Sequence, residues 1–302
     1  MIALPTLRQL QFLLALTEHG SFSRAAQAVH VTQPTLSAAI KELETILGTT
    51  LVERGARGAV LTPAGTAVVE RARRVMAEAE DLVVAAQAAG EPLSGSFKLG
   101  VIPTIAPFLL PRVLPRLREH YGRLELFLRE DLTARLYEAL RERRLDAALI
   151  ALPYDAPMIE SVSLGSDEFL FACAPEHPLA DQDKLGAEDL RGESLMLLED
   201  GHCLRDHALS ACSAGEARSD FAATSLHTLV QMVKSGLGAT LLPKMAVDAG
   251  LVDQMGLVVK SFNPPVAGRE IGIAWRKGSA RSEEARQIGE EIRKLLTVSE
   301  RG

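Results

Sequence analysis

The chain has little cysteine, no long apolar run and no excess of positive charge, and each of these absences excludes a class of protein. Three cysteines in 302 residues are too few for the disulfide framework of a small secreted protein. The sequence contains no apolar run of about 18 residues that would cross a membrane. Its N-terminus lacks the basic start, apolar core and cleavage site of a secretory signal. We therefore expect a cytoplasmic protein of two or three domains with no membrane partner.

The net charge of −6 is unevenly distributed along the chain. Residues 1–90 contain eight basic and eight acidic residues, whereas residues 91–302 contain 25 basic and 31 acidic residues and carry the whole excess. If the N-terminal region binds DNA, it does so without a broad basic field. Its affinity must then come from a few well-placed contacts that oligomerisation multiplies.

The first fifty residues have the pattern of a helix-turn-helix. Apolar residues recur at helical spacing over residues 6–18, and a short helix of small residues follows over 24–29. A third helix begins after Thr32, which can serve as its N-cap, has Pro34 in its first turn and ends at Gly48. Two short helices joined by a tight turn, the second of them the recognition helix, are typical of DNA-binding proteins.

The recognition helix and the segment after it supply candidate DNA contacts. A glutamine can read adenine through two hydrogen bonds, and hydroxyl groups can reach bases or phosphates. Residues 51–61 predict a β-hairpin wing whose two arginines suit backbone phosphates. The candidate DNA-binding residues are Arg24, Thr32, Gln33, Pro34, Thr35, Ser37, Lys41, Arg54 and Arg57. The alternative is a small helical bundle with no role in DNA binding, which the succession of caps, turn, proline-started helix and wing disfavours.

A long amphipathic helix follows from residue 62 to about residue 89. Its apolar residues recur at intervals of three and four, and a helix of this length has no neighbouring domain to cover it. A second copy of the same helix would cover it best. We therefore predict that it is the dimerisation helix and sets the spacing between two recognition helices. The composition of residues 90–96 is that of a linker.

From residue 97 onward, short apolar strands alternate with helices. The pattern predicts strands at 97–102, 124–128, 147–150 and 169–174 and helices at 105–120, 132–144, 225–236 and 281–296. Such alternation is typical of an α/β fold with parallel sheets, in which ligands bind at the carboxyl ends of the strands. Thr104 and Thr133 follow the first and second strands, so both could face one cleft. Thr104 could also simply cap the helix that follows it.

Cys203 and Cys212 lie nine positions apart, and this spacing fits neither a metal site nor an unstrained disulfide. In a helix their α-carbons would be roughly 13 Å apart, whereas a disulfide requires about 4.4–6.8 Å. Joining them requires the local backbone to refold, which is the physical requirement of a redox switch. His202 and His207 beside them do not have the spacing of a structural zinc site, so we predict neither a metal nor a cofactor. We interpret Cys173 as a buried apolar residue, because the strand around it is apolar.

The chain resembles the LysR-type transcriptional regulators over nearly its whole length. The motifs that carry the resemblance are Leu10-Gln11-Phe12, Ser21-Phe22-Ser23-Arg24-Ala25-Ala26, Val31-Thr32-Gln33-Pro34-Thr35-Leu36-Ser37, Leu43-Glu44 and Leu61-Thr62-Pro63-Ala64-Gly65. The resemblance implies a winged helix-turn-helix, a linker helix and a two-lobed effector domain like the type 2 periplasmic binding proteins. It also implies homotetramers that contact promoter DNA and RNA polymerase.

The resemblance gives the domain boundaries. The winged helix-turn-helix would occupy residues 1–65, the linker and dimerisation helix with its hinge 66–92, and the redox-sensing effector domain 93–302. Within the effector domain, lobe I would comprise about 93–166 and 269–302, and lobe II about 167–268.

Within that family, the segment Leu197–Asp206 and the position of Cys212 are similar to the members that sense hydrogen peroxide. In those members the first cysteine is peroxidatic and the second resolving, which implies these roles for Cys203 and Cys212. Peroxide would oxidise Cys203 to a sulfenic acid, which condenses with Cys212 to a disulfide. Thioredoxin- or glutaredoxin-type reductants would reset the switch.

The same resemblance implies that Thr104 and Thr133 contact the peroxide. A position in the first turn of a helix would favour a thiolate at the peroxidatic cysteine. Arg205 and His202 would add positive or donor character nearby, which Asp206 would oppose. One departure from these relatives is Ser213, which follows the resolving cysteine where they often have an aromatic residue.

Two other functions stay open on the sequence alone. A regulator of the same architecture could bind an organic metabolite in the cleft, with Cys203 incidental. The discriminating feature is whether Thr104 and Cys203 line a tiny dry pocket or a cleft large enough for a carboxylate. A thiol peroxidase would leave the first ninety residues without a purpose, so we do not expect an enzyme.

Overall fold

The computed structural model describes residues 3–55, 58–87, 93–154, 156–191, 193, 195–212 and 222–299. The chain divides into two compact units, residues 1–90 and 91–302, and each has its own buried apolar core. None of the helices in the described ranges combines the length and apolar character of a membrane span.

The first unit consists of three short helices, a hairpin and a long helix. Its elements are α1 (Leu7–His19), α2 (Phe22–Ala28), α3 (Gln33–Leu47), β1 (Val52–Gly55), β2 (Gly58–Leu61) and α4 (Pro63–Gln87). The two strands pair antiparallel, with Val52 opposite Leu61. The predicted helices, wing and long helix are confirmed, and the predicted continuation of α4 past Gln87 lies outside the described residues.

Local capping sets the ends of these helices. The Thr32 side chain accepts a hydrogen bond from the Thr35 amide at 3.4 Å, and Pro34 lies in the first turn of α3. Gly48 closes α3 with a φ of 67°, a conformation that glycine adopts without strain. The predicted N-cap and the predicted end of the recognition helix are both confirmed.

The second unit alternates strands and helices. Its elements are β3 (Gly95–Val101), α5 (Ala106–His120), β4 (Leu124–Glu130), α6 (Thr133–Arg141), β5 (Ala147–Leu152), β6 (Ile159–Asp167), β7 (Phe169–Cys173), a 3₁₀ turn (Ala187–Leu190), β8 (Leu197–Leu198), α7 (Cys203–Cys212), β9 (Ala222–Ala223), α8 (Leu226–Lys234), β10 (Ala239–Pro243), α9 (Lys244–Asp248), β11 (Val258–Lys260), β12 (Arg269–Arg276) and α10 (Ser282–Ser299). Each strand and helix predicted from the apolar pattern is present, with ends shifted by up to three residues.

Two larger sheets organise this unit. One has the strand order β4-β3-β5-β12-β6 and the other the order β10-β7-β11, while β8 and β9 form a short parallel pair. The strands of the first sheet fall in the ranges predicted for lobe I, except for the last residue of β6, and those of the second in the range predicted for lobe II. The boundaries of the lobes stay a prediction.

The expectation of parallel sheets was wrong for four of the seven strand pairings described in the second unit. β3 pairs parallel with β4 and β5, but β12 runs antiparallel to both of its neighbours. In the second sheet β10 and β11 both run antiparallel to β7. An apolar run identifies a buried strand but not its direction, and strands that are distant in sequence need not enter the sheet through a right-handed parallel crossover.

Candidate redox site and DNA-binding surface

Cys203 is the first residue of α7, reached from β8 through a tight turn. Within the turn, Gly201 has a φ of 98° and the His202 amide bonds to the Glu199 carbonyl oxygen at 3.4 Å. Cys203 is half-buried and carries a free thiol. The predicted position of this cysteine in the first turn of a helix is confirmed. The sulfur therefore lies at the positive end of the helix dipole of α7.

Two buried threonines lie beside the thiol. Thr133 is the first residue of α6, and its hydroxyl donates a hydrogen bond to the Cys203 Sγ at 3.7 Å. Thr104 lies just beyond the carboxyl end of β3 and lines the same pocket. Each threonine is 3% exposed. The two residues predicted to face one cleft therefore do so, although they come from different strand–helix connections.

The pocket around the thiol is small. It is lined by Ile102, Pro103, Thr104, Leu132, Thr133, Gly201, His202 and Cys203. The space between these atoms amounts to about 170 Å³, and none of it is wide enough for a water-sized sphere. Pockets for drug-sized ligands have volumes of roughly 300–1,000 Å³. The site as it stands is therefore dry and too small for an organic metabolite.

The Thr104 side chain is held by Arg269, a residue that the sequence reasoning missed. Arg269 Nη1 donates to the Thr104 hydroxyl oxygen at 2.7 Å, and Nη2 donates to the Thr104 carbonyl oxygen at 2.9 Å. The simple capping interpretation of Thr104 does not hold, because the N-cap residue of α5 is Ile105. Arg269 opens β12 and is 1% exposed.

Asp167 neutralises the buried guanidinium. Its Oδ2 accepts from Arg269 Nε at 2.9 Å and lies 2.8 Å from Nη2. Its Oδ1 accepts from the Met245 amide at the start of α9, at 2.8 Å. The only sequence signal for this pair is a charged residue next to each of two apolar strands, which is also the pattern of a solvated strand end.

The two histidines near the thiol are held neutral. Burial lowers the pKa of His202 and outweighs the opposing effect of Glu199. Burial also lowers the pKa of His207, and the nearby Arg269 lowers it further, against Asp206. Among the described residues, no group hydrogen-bonds to the buried Nδ1 of His207. At neutral pH His202 therefore offers the pocket a neutral imidazole rather than a positive charge.

Arg205 does not bring its charge to the sulfur. Its Nε lies 3.1 Å from Asp200 Oδ1, and its Nη1 donates to the Leu198 carbonyl oxygen at 3.2 Å. Residues two apart on a helix point in different directions, so Arg205 leaves the face that carries Cys203. The expectation that Arg205 supports the thiol is corrected: it ties α7 to β8. Asp206 is exposed in the first turn of α7.

Cys212 is the last residue of α7, and its side chain lies outside the described residues. A regular helix from Cys203 to Cys212 separates their α-carbons by roughly 13 Å, about twice the reach of a disulfide. Leu204 and Ala208 anchor one face of α7 in the core, at 3% and 2% exposure. A bond between the two sulfurs therefore requires α7 to unwind.

Cys173 lies in β7 at 0% exposure, and burial raises the pKa of its thiol. It packs in the apolar core and fits the interpretation of a buried apolar residue. The described residues contain no cluster of three histidine, cysteine or acidic side chains that would hold a metal ion.

In the first unit, α3 presents the predicted DNA contacts on its surface. The exposed candidates are Arg24, Thr32, Gln33, Pro34, Thr35 and Lys41, and Ser37 is half-buried. The opposite face of α3 buries Leu36, Ile40 and Leu43. The hydroxyl groups of Thr32 and Thr35 lie 2.8 Å apart, so they present one polar edge at the start of the helix.

The wing is present as a hairpin, and the predicted contacts of its two arginines fall outside the described residues. Arg54 lies in β1, opposite Ala59 of β2, and the placement of its side chain is outside what is described. Arg57 lies between the strands and outside the described residues. Their contacts with phosphates stay a prediction.

The long helix α4 is buried near its start and has exposed apolar residues farther along. Val69 and Ala72 are buried within the first unit. Farther along, Val75, Leu82 and Val83 are 46%, 71% and 50% exposed. Such a run of exposed apolar residues on one helix is typical of an interaction surface.

Comparison with known protein families agrees with this geometry. Residues 7–66 match the bacterial regulatory helix-turn-helix protein, lysR family, and residues 90–297 match the LysR substrate binding domain. The two matches together span almost the whole chain.

Individual relatives are similar over the same extent. The chain is 41% identical over 296 residues to a probable hydrogen peroxide-inducible genes activator of Streptomyces viridosporus, covering 97% of this chain and 95% of the relative. It is 40% identical over 289 residues to the DNA-binding transcriptional dual regulator OxyR of Escherichia coli K12, covering 95% and 94%. A solved full-length OxyR variant from Pseudomonas aeruginosa matches with a TM-score of 0.78 at 34% identity, covering 96% of this chain and 98% of that one.

Proposed function

Because the chain belongs to the LysR family of bacterial transcriptional regulators, we propose that it controls transcription in response to hydrogen peroxide, which oxidises Cys203. The observation that carries the proposal is the small pocket in which Thr104 and Thr133 flank a free thiol at a helix N-terminus. The names of the relatives point the same way, since two of them are described as peroxide-inducible gene activators or as OxyR.

The first chemical step is the attack of the Cys203 thiolate on one oxygen of hydrogen peroxide. The S–O bond forms as the O–O bond breaks, sulfur is oxidised to a sulfenic acid, and the second oxygen leaves as hydroxide and takes up a proton to become water. The Thr104 hydroxyl would donate a hydrogen bond to a peroxide oxygen or to the departing hydroxide. The Thr133 hydroxyl, which donates to the Cys203 sulfur in the resting protein, would have to turn away from the sulfur to do the same.

The second step is the attack of the Cys212 thiolate on the oxidised Cys203 sulfur. The S–S bond forms, the S–O bond breaks, and the hydroxyl leaves as a second water molecule, so that one peroxide is reduced by two thiols. A dithiol reductant of the thioredoxin or glutaredoxin type returns two electrons and two protons. Because the sulfurs cannot meet across the intact helix α7, this step is coupled to its unwinding.

The disulfide has to supply enough free energy to shift the conformation. A change from 1:99 to 99:1 requires a differential of about 5.5 kcal/mol, which for a two-electron couple corresponds to about 120 mV. That difference lies within the range that separates thiol–disulfide couples in cells. The refolded segment would alter contacts between the effector domains and so change the spacing of the recognition helices on DNA.

The size of the pocket favours peroxide over a metabolite. A carboxylate ligand needs room for several atoms and charged or polar partners for its oxygens, whereas the space beside Cys203 amounts to about 170 Å³ and has no lysine or arginine in its lining. The alternative of a metabolite sensor would require a larger cleft that includes Thr104. The small size of the pocket therefore supports the interpretation that the protein senses peroxide through Cys203.

We further propose the assembly and partners that such a regulator needs. Exposed α4 would form a dimer with its copy, and two dimers a homotetramer that places two pairs of recognition helices on promoter DNA. RNA polymerase would be the partner on the promoter, in the cytoplasm. The winged helix-turn-helix at 1–65, the linker at 66–92 and the effector domain at 93–302 with its two lobes are part of this proposal.

The test is disulfide mapping by mass spectrometry after one equivalent of hydrogen peroxide is added to the fully reduced protein. We expect a rapid, nearly stoichiometric link between Cys203 and Cys212, with Cys173 left as a thiol. The matched control is Cys173→Ser, which should form the same link, whereas Cys203→Ser should form none and should lose its peroxide-dependent change in DNA footprint. Random oxidation of all three thiols, or no link, would reject the peroxide switch and favour a search for an organic ligand.

A further inference from the structure

Arg269 and Asp167 form a buried ion pair next to the thiol pocket, and the proposed reaction of Cys203 with peroxide does not use it. Arg269 and Asp167 are 1% and 4% exposed, so both charges are out of contact with water. A buried arginine of this kind is fixed by its hydrogen bonds, because its planar fork fits only particular partners. Asp167 Oδ2 engages the Nε and Nη2 side of the guanidinium. The fork is thereby turned so that Nη1 and Nη2 reach Thr104.

The hydrogen bonds from Arg269 determine whether the Thr104 hydroxyl acts as a donor or an acceptor towards the pocket. A hydroxyl group has one hydrogen to donate and two lone pairs that accept. Arg269 fills a lone pair of Thr104 at 2.7 Å, and it also holds the carbonyl oxygen of the same residue at 2.9 Å. The hydroxyl hydrogen is therefore free to be donated to a group other than Arg269, and Thr104 lines the pocket that also contains Cys203.

We propose that Asp167 is a positioning residue of the peroxide site, which sets the donor direction of Thr104 by orienting Arg269; this inference rests on the proposed peroxide chemistry. Asp167 does not line the pocket and does not contact the thiol. It acts through two successive hydrogen-bonded links, from carboxylate to guanidinium and from guanidinium to hydroxyl.

The second oxygen of Asp167 fixes the carboxylate itself. Oδ1 accepts from the Met245 amide of α9, and the neighbouring Glu168 carbonyl oxygen accepts from the Lys244 amide at 2.8 Å. Asp167 ends β6 in the five-stranded sheet, whereas α9 follows β10 of the three-stranded sheet. The orientation of Thr104 is therefore tied to the junction between the two sheets as well as to Arg269.

The competing explanation is that the ion pair only stabilises the fold. The two explanations differ in what they predict for two reagents that attack the same sulfur. A positioning role concerns donors to peroxide oxygen, so it changes the peroxide reaction. It leaves alkylation of the Cys203 thiol by iodoacetamide unchanged, because alkylation needs no donor from Thr104.

The experiment measures both second-order rate constants on the reduced full-length protein with the variants Asp167→Asn, Thr104→Val and their combination. In Asp167→Asn the amide cannot accept at both former oxygen positions, so either Arg269 or the Met245 amide loses its partner. We expect the peroxide rate constant to fall by about ten- to a hundredfold, as for a misplaced catalytic group. Alkylation should stay within about twofold, and Asp167→Asn should have no further effect once Thr104 is valine.

The positioning role would be rejected if Asp167→Asn slowed the peroxide reaction and the alkylation equally. It would also be rejected if Asp167→Asn lowered the peroxide rate constant by the same factor in the Thr104→Val background. If Asp167→Asn does not fold, Asp167→Glu is the variant to measure. It keeps the buried negative charge, but its side chain is one methylene group longer and shifts the Arg269 guanidinium. Glutamate should keep the circular dichroism spectrum and slow only the peroxide reaction; an unchanged peroxide rate would also reject the proposal. Failure of the wild-type protein to react faster than a free thiol would instead reject the proposed function.

Discussion

Ser210 offers a direct way to test whether α7 must unwind before the disulfide forms. The residue is exposed, its side chain donates to the Asp206 carbonyl oxygen at 2.8 Å, and it lies outside the thiol pocket. Replacing it changes the stability of the helix without touching either sulfur. Ser210→Ala favours the helix, because alanine has the highest helix propensity, and Ser210→Gly disfavours it.

The magnitude follows from helix propensity. Alanine and glycine differ by about 1 kcal/mol in a helix interior, and the difference is smaller near a helix end. If the disulfide form lacks this part of α7, the two variants should differ in their thiol–disulfide equilibrium by up to about fivefold. For a two-electron couple this corresponds to about 20 mV in midpoint potential. Ser210→Ala should have the higher potential, because its reduced form is stabilised, and Ser210→Gly the lower.

The assay is a redox titration of each variant in a dithiothreitol buffer, with the disulfide quantified by mass spectrometry. The rate constant for the first oxidation of Cys203 serves as the control, since the propensity change should leave the pocket as it is. Equal midpoint potentials for Ser210→Ala and Ser210→Gly, or a shift in the opposite order, would show that this turn of α7 persists in the disulfide form. The proposed coupling between bond formation and unwinding would then be wrong.

Three further outcomes are expected. Burial and Arg269 lower the pKa of His207, so the unfolded protein takes up a proton at a higher pH than the folded protein does. The reduced protein should therefore lose stability as the pH falls below about 6.5. Thermal unfolding at pH 5.5 and 7.5 should show a smaller loss of stability for His207→Gln than for the wild type, and equal losses would contradict this assignment. Cys173→Ser places a hydroxyl in the core and should cost about 1–3 kcal/mol in denaturant unfolding without changing the disulfide yield. Lys41→Ala should weaken DNA binding equally for all sequences and reduce the salt dependence by about one phosphate contact per recognition helix, measured by fluorescence anisotropy; a loss confined to one sequence would indicate a base contact instead.

Much of the fold could be predicted from local sequence because local interactions determine it. Thr32 caps α3 through the amide of Thr35, and Gly48 closes the same helix with a positive φ, so both ends are set by neighbours a few residues away. The directions of β10, β11 and β12 could not be predicted in this way. They depend on how distant segments pair, and an apolar strand has the same pattern in either direction.

The residues of the candidate site were likewise predicted only in part from the sequence. Thr104 and Thr133 were identified because each follows a strand, a position where side chains meet at one edge of a sheet. Cys203 was identified from its spacing to Cys212 and from the family resemblance. Arg269 and Asp167 were missed because they are 102 residues apart, and only folding makes them partners. Arg205 was misplaced for the opposite reason, since closeness in sequence to Cys203 does not put it on the same face of α7.

The placement of the two cysteines at opposite ends of one helix has a consequence for how the response depends on peroxide. A pair already within bonding distance could close with little change elsewhere, and its disulfide would report oxidation without moving the fold. In the proposed switch, the hydrogen bonds of α7 and the burial of Leu204 and Ala208 would oppose closure of the disulfide. Because helix opening is cooperative, a partial approach of the two sulfurs would not be stabilised by an S–S bond. The geometry therefore favours two discrete states over a graded series, which is what a promoter-level switch requires.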